Sequence, residues 1–252
     1  MLGGLARRAG AIGQIRGRSN CVLLLDAGDS LFGRCKYSPG ELPLARERAD
    51  FILESYMDMG YQAINIGLED WADSDFLIAR IKEKKYPFVA TNLKSADSGL
   101  ALPPSFTVID VCGCKVGIFG LMSNRIAQIK GHPEIVVSDP MVVVRDIVPR
   151  LKKECSLVVM LSNLGTRLDT DIAKEVDGLD IIIESGSGAL CTPWKIKNTY
   201  LCSPKEEGHW LGRFDVTVTP GGEIKQISHQ ILILDENVPE DEIMRKEIEN
   251  RF

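Results

Sequence analysis

Four short stretches carry the residues that could do chemistry: Asp26-Ala27-Gly28-Asp29, Gly67-Leu68-Glu69-Asp70, Ser162-Asn163-Leu164-Gly165 and Glu184-Ser185-Gly186-Ser187-Gly188. Each follows a short apolar run and contains glycine. Asp29, Glu69, Asp70 and Asp73 offer carboxylate oxygens, the donor type that hard cations take. The competing reading is local. An Asp after Gly at a strand end bonds loop amides through an Asx-turn, and an acidic loop ahead of a helix caps it.

Thiols offer a second chemistry. The chain has seven cysteines, an odd number, so at least one is unpaired within it. No CxxC pair occurs, and small buried or partly buried thiols are the expected state. Cys35 lies between Arg34 and Lys36, cations that favour a thiolate. Cys191 follows the loop ending at Gly188. Ser187 sits between glycines but lacks the spacing of a nucleophile elbow. His132, His209 and His229 lie outside all four loops.

The elements that must position these residues follow from periodicity. "CVLLLDAGD", "YQAINIG", "PFVATN", "SLVVMLSNLG" and "LDIIIESGSG" are unbroken apolar runs, as expected for strands covered on both faces. Between them, "ELPLARERADFILESYMDMG" is a helix stopped at Gly60. "SDFLIARIKEKK" is a helix capped by Asp73. Asp139-Pro140 opens another helix that runs to about Lys153. "FTVIDVCGCKVGIFGL" reads as two strands around Cys112-Gly113. The two strands around Pro220-Gly221-Gly222 form a hairpin, and "PEDEIMRKEIENRF" is a closing helix. Strand-helix alternation predicts an α/β fold, whose functional groups gather at the carboxyl ends of the strands.

With "GGLARRA" ahead of "LLLDAGD" and "HWLGRFDVTV" behind, the chain resembles the N-terminal metallophosphoesterase domain of the 5'-nucleotidase family over nearly all of its length. The resemblance implies a four-layer α/β/β/α sandwich of the calcineurin-like type, in which two metal ions make a bound water nucleophilic. It also implies which positions would hold them. Asp29 matches the metal-bridging aspartate. Leu68 and Glu69 stand where the family has Asn and His. Asn163 replaces a metal-binding His, and Gly186 and Gly188 stand where the family has His and then His or Gln. The family's Asp-x-His on its first strand would lie before Met1, so that strand is expected to be missing. The open edge of the strand Cys21–Leu25 then needs a cover, such as a partner chain or a second copy.

The expectation is one metallophosphoesterase-like domain over 1–252, without a C-terminal nucleotide-binding domain. It is degenerate, runs no two-metal catalysis, and serves as a binding or structural module. No cofactor is expected. Two alternatives stay open. One is a phosphoester (nucleotide) hydrolase using a divalent Mn, Zn, Mg or Ca at Asp29, with Glu69, Asp70 and Asn163 around it. The other is a thiol-dependent protein using Cys35 or Cys191, which the resemblance would bring near the former metal cleft.

Bulk properties set outer limits. The chain has 252 residues, 44% hydrophobic and 26% charged, with a formal net charge of −5. That balance, without Lys/Arg clusters, gives no electrostatic case for nucleic acid or an anionic membrane. No apolar run approaches the ~18 residues that span a bilayer. The opening "MLGGLARRAGAIGQIRGR" lacks the apolar core of a secretory signal, although family members are often exported, so the sequence assigns no location.

Overall fold

The computed structural model describes residues 2–96, 102–125, 128–129, 131–185, 193–203, 208–219 and 224–252. In chain order the elements are α1 (Leu5–Arg16), β1 (Leu25–Asp26), α2 (Leu42–Asp58), β2 (Ala63–Asn65), a 3-10 turn (Glu69–Asp73) and α3 (Ser74–Glu83). Then come β3 (Phe88–Val89), β4 (Leu93–Ser95), β5 (Phe106–Val111), β6 (Cys114–Met122), β7 (Gln128–Ile129), β8 (His132–Val137), α4 (Pro140–Lys152) and β9 (Leu157–Asn163). The chain continues with α5 (Thr166–Glu175), β10 (Ile181–Glu184), β11 (Trp194–Ile196), β12 (Thr199–Cys202), β13 (Trp210–Val218), β14 (Ile224–Ile233) and α6 (Glu242–Arg251).

The apolar runs sort by alternation. In β9, Val158 and Met160 pack with Val144, Ile147, Val148 and Leu151 of α4, while Leu157, Val159 and Leu161 face the other way. There they meet Ala27, Ala63 and Val89, which follow or belong to β1, β2 and β3. β6 does the same, with Phe119 and Leu121 on the helix side and Val116 and Ile118 on the sheet side. A period of two with both faces buried is why these strands read as unbroken hydrophobic runs. A third apolar layer joins Leu53, Tyr56, Leu77 and Ile81 of α2 and α3 to Ile64 and Phe88. Three apolar layers between helices, sheet, sheet and helices make the α/β/β/α sandwich expected from the sequence.

The larger sheet runs β11-β12-β10-β9-β6-β5, with β6, β9, β10 and β12 parallel at its centre. The smaller one is the parallel set β1-β2-β3. β13 and β14 form a long antiparallel pair, whose turn at 220–223 lies outside the described residues. The small sheet β4-β8-β7 and helix α5 have no counterpart in the sequence reading. α5 sits between two glycine-containing loops and is rich in polar residues, Asp169 and Asp171 among them, which hid its Leu168, Ile172 and Ala173 stripe.

Two expectations need correction. "CVLLLDAGD" is a strand, but only Leu25 and Asp26 are laddered, to Ala63 and Ile64. Among the described residues no ladder lies on the outer side of β1. The cysteines are not all thiols: Cys21 and Cys112 form a disulfide across 91 residues, with Cα atoms 5.6 Å apart. Neither sits in a paired motif, so sequence spacing could not reveal it. Cys35, Cys114, Cys155 and Cys202 are free.

Candidate functional site

The carboxyl ends of β1, β2, β9 and β10 bring Asp26, Asp29, Glu69, Asp70, Asn163 and Ser185 together. Asp29 occupies a left-handed backbone position, φ 59°, after Gly28 at φ 101°. That tight reversal lets the two loops touch. A Cβ on Gly28 would lie 2.7 Å from the Gly67 amide, and one on Gly67 would lie 2.2 Å from Asp29 Oδ1. Both glycines are required by close approach.

Asp29 bonds to groups on two other loops. Its Oδ1 accepts the Glu69 amide at 2.7 Å, and its Oδ2 accepts Asn163 Nδ2 at 2.5 Å. Asp26 makes an Asx-turn: its Oδ1 accepts the Gly28 amide at 2.9 Å and the Ser30 hydroxyl at 2.6 Å. Asp26 Oδ2 accepts the Tyr56 hydroxyl, which in turn accepts from Arg8 at 2.8 Å. Burial pushes the Tyr56 hydroxyl's pKa up, so it stays a donor to Asp26. Asp26 was legible only as part of its loop, and Tyr56 and Arg8 were not legible as site residues at all. The Asp-x-Gly spacing could have indicated the turn, but nothing local ties in a helix residue 48 positions from Arg8.

Asn163 is the stitch between three loops. Its Nδ2 also donates to Ser185 Oγ at 2.8 Å, and its Oδ1 accepts the Leu68 amide at 2.8 Å. Leu68 thus contributes its backbone, which its apolar side chain leaves untouched. Ser162, one residue earlier, donates to Asp169 of α5 at 2.6 Å. Asp169 Oδ2 is buried without a hydrogen-bond partner among the described residues, and burial first holds this carboxyl well above the usual range.

Asp70 is fully turned inward. It accepts the amides of Gly67 at 2.8 Å, Asp29 at 2.9 Å and Leu31 at 3.0 Å. Burial, then the charge of Asp29, pushes its carboxyl up to about 7, against amide donors that favour the charged form. Asp73 caps α3 through the Phe76 amide at 3.2 Å, as expected, and pairs with Arg46. Glu69 Oε1 lies 4.0 Å from Cys35 Sγ. Desolvation, then Glu69 and Asp29, raises that thiol's pKa from its ordinary value. Arg34 does not offset this, because it pairs with Glu41 and lies over the Tyr37 ring. Cys191, Gly186 and Gly188 lie outside the described residues.

Among the described residues no group of three or more His, Cys, Asp and Glu is placed to hold a metal ion. Among the described residues, these donors as placed serve one another and backbone amides rather than a pair of cations. Asp29 spends both oxygens on N–H donors, Asp70 faces three amides, and Asn163 directs its amide group at Asp29 and its oxygen at Leu68.

No protein-family model matches the chain. Among curated proteins it is 25% identical over 287 residues to the trifunctional nucleotide phosphoesterase protein YfkN of Bacillus subtilis (strain 168), covering 97% of this chain and 19% of that protein. It is 26% identical over 281 residues to the snake venom 5'-nucleotidase of Naja atra, covering 98% of this chain and 50% of that enzyme. The chain therefore spans half or less of these relatives' length. Among solved structures, the 5'-nucleotidase precursor from Thermus thermophilus superposes with a TM-score of 0.85 at 23% identity, covering 99% of this chain and 53% of that one. Calcineurin-like phosphoesterase YfkN from Bacillus subtilis superposes at 0.77 and 22%, covering 99% and 88%. The chain is similar in sequence to 5'-nucleotidases and to YfkN over nearly all of its length, and it shares the fold of the calcineurin-like phosphoesterases among the solved structures.

Proposed function

We propose that this chain is a degenerate 5'-nucleotidase-like metallophosphoesterase domain, free of two-metal catalysis, that acts as a single binding or structural module. The observation that supports this most is the Asp29 carboxylate. A metal-bridging aspartate must present its oxygens to cations. Here one oxygen accepts the Glu69 amide and the other accepts Asn163 Nδ2. Leucine at 68 adds no donor, so the substitution is not an exchange of one ligand for another. The partner we assign to the module lies along the outer side of β1, where no ladder occurs among the described residues. A covering chain or second copy would complete the ladder. Light scattering with chemical crosslinking tests it: crosslinks from Arg18 or neighbouring residues to a partner or second copy support it, and an unlinked monomer at all concentrations opposes it.

The test of the catalytic reading is an assay of generic phosphoesters and nucleotides with Mn2+ or Zn2+. The expected result is no metal-dependent turnover. A second reading is favoured by the curated relatives, which are nucleotide phosphoesterases and 5'-nucleotidases. In it the domain is a phosphoric ester hydrolase with an altered divalent-metal site around Asp29, Glu69, Asp70 and Asn163. Metal-dependent turnover that Asp29→Ala abolishes would establish that reading and reject the first. The thiol reading of Cys35 has its local charges against it, since Glu69 and Asp29 both oppose a thiolate.

A further inference from the structure

We infer that the Cys21–Cys112 disulfide is a redox-removable clasp that holds β1, and through it the Asp26–Asp29 loop, against the larger sheet.

The two cysteines have unequal surroundings. Cys112 is the anchor. It sits in the tight turn between β5 and β6 at φ 53°, and the next residue's amide, Gly113, donates to Asp110 Oδ1 at 2.7 Å. β6 is paired on both sides, with β5 and β9. Cys21 is the held end. It lies in the stretch 18–24 between α1 and β1, which has neither helix nor strand. The polar contacts of that stretch are local at the start, Arg18 and Ser19 N–H to Ile15 O at 3.0 and 3.1 Å and Cys21 N–H to Ser19 Oγ at 3.2 Å. From 20 to 24 only Leu24 is bonded to another element among the described residues, through Gln62 Oε1 at 3.3 Å and Gln62 N–H at 2.9 Å. β1 itself has two laddered residues and, among the described residues, a neighbour on one side only. Cys21 lies just ahead of Leu25, where β1 begins, and Asp26 opens the site loop. The covalent link therefore acts on one of the short edge strands of the fold, at the end opposite to the loop that the strand carries.

Both cysteines are exposed, so a reductant can reach them. A dithiol supplies the two electrons. One of its thiolates attacks a cysteine sulfur, the S–S bond breaks, and a mixed disulfide forms. The second thiolate closes the reductant's own disulfide and releases the remaining cysteine as a thiol. A low-molecular-weight disulfide reverses the exchange with the same balance. Cys114 is two residues from Cys112, and burial and Asp110 raise its thiol's pKa, which disfavours its thiolate. The clasped form is thus the one the chain takes where thiols are oxidised.

The test uses the whole chain. In unreduced, denatured protein, Cys21 and Cys112 should resist alkylation and become labelled only after reduction. On the folded protein, dithiothreitol should raise deuterium uptake across residues 22–31 while 157–163 stay protected. The melting temperature should fall by about 10 °C, following the chain-entropy effect of a link across so many residues. Glutathione disulfide should restore both. A Cys21→Ser/Cys112→Ser variant should match the reduced form under oxidising conditions. If that variant does not fold, reversible reduction of the unaltered chain decides. Labelling of Cys21 and Cys112 without reduction would overturn the proposal. So would unchanged uptake across 22–31 and an unchanged melting temperature on reduction.

Discussion

In the degenerate-domain reading proposed above, Asn163 turns a ligand position into a fastener. An imidazole there would offer one lone pair to a metal. The amide instead donates to Asp29 and Ser185 and accepts from Leu68, three bonds that close the loops on one another. Asn163→Ala removes the donor to Asp29 Oδ2 and the acceptor of the Leu68 amide. The expected loss is about 2–4 kcal/mol in urea unfolding, since each stranded group costs roughly 1–3 kcal/mol. Asp70 belongs to the same scale and gives a pH signature. Its carboxyl titrates at about 7 in the fold and near the ordinary carboxylate value when unfolded. The native state therefore holds the extra proton between those values. Stability from this group is complete below pH ~4 and is lost as pH rises to about 7, by at most about 4 kcal/mol. Asp169 and Glu184 shift in the same direction. Asp70→Asn should therefore flatten the slope of stability against pH from ~4.5 to ~7.5 without removing it. An unchanged slope would assign the effect to the other two.

Among the elements, the loop after β2 is set by glycine. Gly67→Ala drives a methyl into the Asp29 carboxylate, so the loops after β1 and β2 must part. The expected cost is about 1–3 kcal/mol, with raised hydrogen exchange at Asp29, Leu31 and Glu69 and little change in α4 or β9. Most elements were legible because their signals are local: the apolar runs of β9 and β10, Asp73 before α3, and Asp139-Pro140 before α4. Other features were not. β4, β7 and β8 are short, and their pairing joins Leu93 to Val137, which no neighbouring residue announces. The full length of the "CVLLLDAGD" strand failed to form because a run of β propensity ladders only where it has neighbours. The site was legible as a set of loops, and Asp29, Glu69, Asp70 and Asn163 do meet. Their orientation was not, because whether a carboxylate faces a cleft or a backbone amide depends on chain separations of 40 residues or more.

For the whole molecule, the account is of a sandwich with three intact apolar layers and a cleft sealed by its own hydrogen bonds. Keeping the layers needs only hydrophobic residues at period two, whereas keeping a two-metal centre needs several donors at once. The shape can therefore outlast the chemistry. The most direct measurement is anomalous scattering from crystals soaked in Mn2+. The account predicts no ordered ion between Asp29 and Asn163, with Asn163 Nδ2 still bonded to Asp29 Oδ2. Two ions bridged by Asp29, with the Asn163 amide turned away, would contradict it.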